Sequence, residues 1–129
     1  MSEFKWLRFE TIRILHDESL FEHGGLEGIR DEGLLESALM NPQNKAHYDQ
    51  EASVFEVAAA NAYALAKNHP FLDGNKRTAF LAAATFLMVN NYRLGASEAD
   101  ATLKVLGLAA SEISESEFAK WLRENSEAT

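Results

Sequence analysis

Residues 69–80 read HPFLDGNKRTAF, and the placing of this stretch between two nearly apolar segments decides the reading of the fold. His69, Asp73, Asn75, Lys76 and Arg77 fall within nine consecutive positions, after VFEVAAANAYALAKN and before a run from Ala79 to Val89 that only Thr85 interrupts. Pro70 disfavours helical geometry at His69, so the helix from Val54 is expected to finish just before it. Gly74 offers backbone freedom and room for a ligand. The next helix is expected to start around Asn75, with Lys76 and Arg77 in its first turn. Free amide hydrogens at a helix start, the helix dipole and two cations all favour an anion at one point. The spacing is not that of a Walker-type loop, because no glycine pair precedes a Lys-Ser/Thr step.

The residue types point to phosphate chemistry. Asp73 is the one carboxylate within reach along the chain, and a single carboxylate joined by phosphate oxygens is a common way to hold magnesium. Histidine changes charge near neutral pH, so His69 suits the removal of a proton from an attacking hydroxyl. These parts match phosphoryl or nucleotidyl transfer, where positioning and charge neutralisation do most of the catalysis. The bland alternatives are a structural histidine, an aspartate that merely caps the following helix, and two solvated cations. Their clustering beside an apolar helix favours the functional reading.

Composition narrows the partners. The 129 residues suit one domain over 1–129, and the absence of cysteine excludes disulfides and thiolate metal sites. The net charge of −8 argues against broad nucleic-acid binding. Charge is uneven, however: residues 57–97 carry +3, while the remainder has 8 basic against 19 acidic side chains. A cationic middle in an acidic shell suits a small anion in a pocket. The start, MSEFKWLRFE, lacks the apolar core of a signal peptide, and Ala79–Val89 is too short to span a bilayer. A cytoplasmic protein without membrane contact is the expectation.

Periodicity predicts helices nearly throughout. One covers Glu10–Glu22 and stops at Gly24-Gly25; a second starts near Asp31 and is expected to end before Pro42. Ser53 with Glu56, Ser97 with Asp100, and Ser114 with Glu117 read as capping boxes opening three more. The middle one of these is expected to bury Leu103, Leu106 and Ala110. Between the first two boxes lies the central apolar helix, expected to end near Asn90-Asn91. Residues 43–52, QNKAHYDQEA, form a polar connector with the makings of a small hairpin or flap. His16, His23 and His47 are scattered and form no metal set with His69.

HPFLDGNKR resembles the signature of the Fic/Doc superfamily, His-x-Phe-x-Asp/Glu-Gly/Ala-Asn-Gly/Lys-Arg, and every fixed position matches. GGLEGIRDEGLLESAL and the helix before the motif look like the corresponding parts of death-on-curing (Doc) toxins. The resemblance implies an all-α, compact bundle of about six helices, with the motif loop between two central helices and a short flap ahead of them. It implies that His69 deprotonates the target hydroxyl, that Asp73 holds magnesium, and that Gly74, Asn75, Lys76 and Arg77 bind the phosphates of ATP. The flap, about Lys45 to Glu51 with Lys45 and Tyr48 as candidate contacts, would align the target by backbone pairing.

Lys76 stands where Fic-type AMP transferases have glycine. In Doc-like proteins this lysine resembles a plug in one anion site, so that ATP binds reversed and its γ-phosphate faces the histidine. The resemblance thus implies phosphorylation of a Ser/Thr hydroxyl on a translation factor of the elongation factor Tu class, which arrests translation. A cognate antitoxin would restrain the activity, because SEISES at 111–116 departs from the built-in inhibitory pattern Ser/Thr-x-x-x-Glu-Gly/Asn at its last residue. Gly74, where the best-known Doc pattern has Ala, and Pro70, as in Fic proteins, keep two other readings open: AMP transfer to a protein, and a catalytically idle binding partner.

Overall fold

A computed structural model describes residues 4–129. Six helices make up most of it: α1 (Phe9–His23), α2 (Glu32–Tyr48), α3 (Val54–Asn68), α4 (Asn75–Val89), α5 (Glu98–Ala109) and α6 (Glu115–Glu124). Two short strands, β1 (Tyr92–Leu94) and β2 (Ser126–Ala128), pair antiparallel with Arg93 opposite Glu127. The all-α expectation of about six helices holds, with the small ribbon as an addition.

Helix α3 is the centre. It is buried along most of its length, packs on α2, α4 and α6, and makes its most extensive contact with α4. Alanines explain the fit: Ala58, Ala59, Ala62, Ala66, Ala79, Ala82 and Ala83 are all fully buried, and side chains this small let two helix backbones approach closely. Phe86, Phe118, Leu65, Leu87 and Leu122 fill the surrounding space. Among the described residues no helix is long and apolar enough to cross a membrane.

The capping reading holds at Ser53 and Ser114, where both reciprocal bonds are present. At Ser97 only half of it forms. Ser97 Oγ accepts from Asp100 N, but the Asp100 carboxylate instead accepts from Trp121 Nε1 at 2.8 Å, which ties α5 to α6.

Three expectations need correction. Helix α2 does not end before Pro42 but runs on to Tyr48 with Pro42 inside it. Proline removes one backbone bond there, and the burial of Leu35, Ala38 and Pro42 on one face outweighs that loss. The expected flap at 43–52 is therefore the end of α2 and a short turn, not a hairpin. Finally, α5 buries Ala101, Val105 and Leu108, whereas Leu103 and Leu106 are 68% and 44% exposed and Ala110 is also exposed. The buried face is rotated from the Leu103/Leu106 stripe, and Leu108 with the smaller Ala101 and Val105 takes the places nearest the core.

The end of α4 gathers the far parts of the chain. Asn90 exchanges two hydrogen bonds with the backbone of Lys5, and Thr129 N donates to Asn91 O at 2.9 Å. Asn91 takes the left-handed turn expected of this pair, at φ 72°. Phe4 and Trp6 pack against Phe86 just beneath.

Candidate active site

Helix α3 stops at Asn68 and α4 starts at Asn75, so residues 69–74 form a tight connection at one end of the central pair. Its middle is anchored by Phe71, which is 2% exposed. The Asn75 side chain braces the same residue: Asn75 Nδ2 donates to Phe71 O and Phe71 N donates to Asn75 Oδ1, both at 3.0 Å. What Asn75 has left for an anion is its backbone N–H. A second strip of chain runs alongside the connection, with Ile29 bridged to Phe71 and Leu72 N donating to Gly28 O at 3.1 Å.

His16 supports the loop from α1. It is 2% exposed and its ring lies flat on Phe71, 3.8 Å between centroids and 9° from parallel. His16 Nε2 lies 2.7 Å from Asp73 O. A carbonyl only accepts, so this nitrogen carries the proton. No spacing rule links positions 16 and 73, and the sequence reading missed this contact.

Asp73 is held by its carboxylate as well as by its carbonyl. Oδ1 accepts from Gly74 N at 2.9 Å and Oδ2 from Leu26 N at 3.2 Å. The Gly74 and Leu26 amides, and to a lesser degree the Arg77 and His16 charges, hold its pKa below the ordinary value of 3.8. Gly25 makes this approach possible, since a Cβ there would lie 2.8 Å from Asp73 Oδ2. Because the folded pKa is depressed, the linked stability is present above the unfolded pKa and is lost as pH falls through the folded one. We expect the Asp73 carboxyl carbon, followed by NMR, to titrate below 3.8; a midpoint at or above that value would show that the two amides do not hold it.

The start of α4 is open. Gly74 is its N-cap at φ 75°, a left-handed position that glycine adopts without strain, and no side chain caps the helix. The first-turn amides of α4 are thus without helical partners. Lys76 is exposed, with no carboxylate in ion-pair range among the described residues. Arg77 leans on α1, donating through Nε to the buried Ser19 Oγ at 2.9 Å and through one terminal nitrogen to Gly24 O at 3.2 Å. The exposed His69, with Leu72, Asp73, Gly74, Asn75, Lys76 and Arg77, lines one crevice of about 290 Å³. Lys45 and Tyr48 do not reach it. Lys45 sits 3.7 Å from Glu115 near the end of α2, and Tyr48 is 85% exposed.

This loop, with seven of the nine motif residues around one crevice, lies within residues 6–87, which match the model described as "Fic/DOC family". The chain belongs to the Fic/Doc family. It is similar to a protein named "Protein kinase doc" from Escherichia phage P1, 39% identical over 114 residues that cover 88% of this chain and 90% of the relative. It is also similar to "Toxin Doc" from Mycolicibacterium smegmatis (strain ATCC 700084 / mc(2)155), 45% identical over 74 residues, 57% of each chain. In this Fic/Doc chain a metal site built by protein alone is missing, for no group of three or more His, Asp or Glu side chains converges among the described residues. A magnesium ion that arrives with phosphate oxygens fits better. Asp73 is ionised, exposed and bonded once at each oxygen, which leaves lone pairs free.

Proposed function

We propose that the protein is a Doc-type toxin that transfers phosphate from ATP to a Ser/Thr hydroxyl of a translation factor of the elongation factor Tu class in the cytoplasm. The observation that carries the reading is the crevice itself, where an exposed imidazole, an ionised carboxylate and an uncapped cationic helix start share about 290 Å³. The name of the phage relative, which includes "protein kinase", supports phosphate as the transferred group. His69 takes the proton from the target hydroxyl as its oxygen attacks the γ-phosphorus of ATP, the bond from that phosphorus to the bridging oxygen breaks, and ADP leaves with the electron pair. The amides of Asn75, Lys76 and Arg77 and the two side-chain cations bind phosphate oxygens and neutralise the charge that builds on them. Asp73, positioned by His16, Gly74 and Leu26, would hold magnesium, which supplies further charge neutralisation when bound.

Restraint by a separate antitoxin agrees with the name of the mycobacterial relative, "Toxin Doc". Residues 111–116 form the turn into α6, where Ser111 Oγ accepts from Lys67 Nζ of α3; the same nitrogen donates to Ala109 O at the end of α5 at 2.9 Å.

The experiment is to incubate the protein with elongation factor Tu, ATP and magnesium and to weigh the target. A gain of one phosphate per target supports the reading; a gain of AMP replaces it with nucleotidyl transfer. A target of unchanged mass overturns the substrate assignment. Lys76→Gly tests the reason for phosphate. It removes a charge and opens space beside the first turn of α4, so the product is expected to shift towards AMP transfer. An unaltered phosphate product would remove the argument from this lysine.

A further inference from the structure

His69 has an uncommon backbone. At φ 49° and ψ 56° it is left-handed, although it carries a side chain and precedes a proline, which pushes the preceding residue towards extended geometry. Such a residue persists only where its surroundings over-determine it. Here the surroundings are the Arg30 side chain, the backbone of Arg30 and Asp31, and the Asn68 side chain, whose Nδ2 donates to Leu34 O at 3.0 Å. Arg30 Nε donates to His69 O at 2.7 Å and an Arg30 terminal nitrogen donates to Asn68 O at 2.8 Å. The main chain continues the row: Arg30 N and Asp31 N both donate to Pro70 O, at 2.7 and 3.1 Å. Three successive carbonyls at the end of α3 are therefore gripped by a single arginine and its neighbour. Asp31 in turn caps α2 through Leu34 N at 3.0 Å, which fixes this grip to a rigid helix.

We infer that Arg30 is a positioning residue that holds His69 in its left-handed conformation and so aims the imidazole into the crevice. The planar fork of a guanidinium spans two adjacent carbonyls, and the single nitrogen of lysine does not reproduce it. Without the fork the Asn68 and His69 carbonyls turn to water, and the pull of Pro70 moves His69 towards extended geometry. The imidazole then leaves the line of attack, while the phosphate-binding amides of α4 stay where they are. The kinetic part of this inference rests on His69 acting as the base; the conformational part does not.

The test compares wild-type protein with Arg30→Ala and Arg30→Lys. Backbone carbon shifts of His69, read by NMR, report its φ and ψ directly. They are expected to be left-handed in the wild type, to move towards extended values in Arg30→Ala, and to move less in Arg30→Lys. Transfer to the target should lose roughly 10- to 100-fold in kcat in Arg30→Ala with KM for ATP nearly constant, as for a group displaced by about 1 Å. Added methylguanidinium, which reaches this exposed site, should restore part of the loss. His69 shifts that stay put in Arg30→Ala overturn the inference, as does a lowered melting temperature with unchanged kcat. Wild-type protein that transfers nothing to any target counts against the proposed function alone, because the shifts still decide the role of Arg30.

Discussion

His69→Ala is expected to lower the rate of transfer by about 10²- to 10⁴-fold while ATP affinity stays nearly constant. The two parts follow from different atoms. The imidazole is exposed at the rim of the crevice and supports none of the connection by its side chain, so its removal takes away a proton acceptor and little else. The groups proposed for phosphate binding belong to the first turn of α4, which is braced through Asn75 and Ser19 rather than through His69. Single-turnover transfer and a nucleotide-binding titration on the same preparation separate the two. A variant that arrests growth at wild-type potency would contradict the role given to this histidine.

Asn75→Ala is expected to cost stability as well as activity. The side chain is 8% exposed and pairs with both backbone groups of Phe71, which is itself buried. Removal leaves a buried N–H and a buried C=O without partners, at about 1–3 kcal/mol for each orphaned group. A loss of roughly 2–6 kcal/mol in unfolding free energy is therefore expected, with transfer abolished because Asp73 and His69 lose their common frame. Urea unfolding measures the first part. A variant within about 0.5 kcal/mol of wild type would mean that the connection is held by His16 and Arg30 without it.

The sequence was most legible where local rules and packing agree. Ser53 and Ser114 cap their helices, Pro70 ends α3, and Asn90-Asn91 ends α4, because each of these acts within a few residues of itself. It misled where tertiary burial overrode a local signal. Pro42 is a stop signal that the interface with α3 overcame, and with it went the flap expected to carry Lys45 and Tyr48. Leu103 and Leu106 of α5 marked the wrong face because bulk is not position. In the crevice, the motif told which residues gather but not which of their atoms are free, as Asn75 illustrates with a side chain turned inward. Arg30 belongs to no local motif, and its two bonds across 38 and 39 residues have no counterpart in any short pattern. His16, set aside as scattered, proves to touch both Phe71 and Asp73 for the same reason.

The meeting of Lys5 and Thr129 at the Asn90-Asn91 turn has a practical side. Helix α4, 15 residues long, sets that turn about 22 Å from Asn75. A fluorophore, a solid support or a fused carrier attached at Thr129 would therefore sit at the opposite pole of the molecule from the crevice. Surface-immobilised protein should accordingly capture nucleotide as well as the free form does, which makes this pole the natural handle for kinetic work.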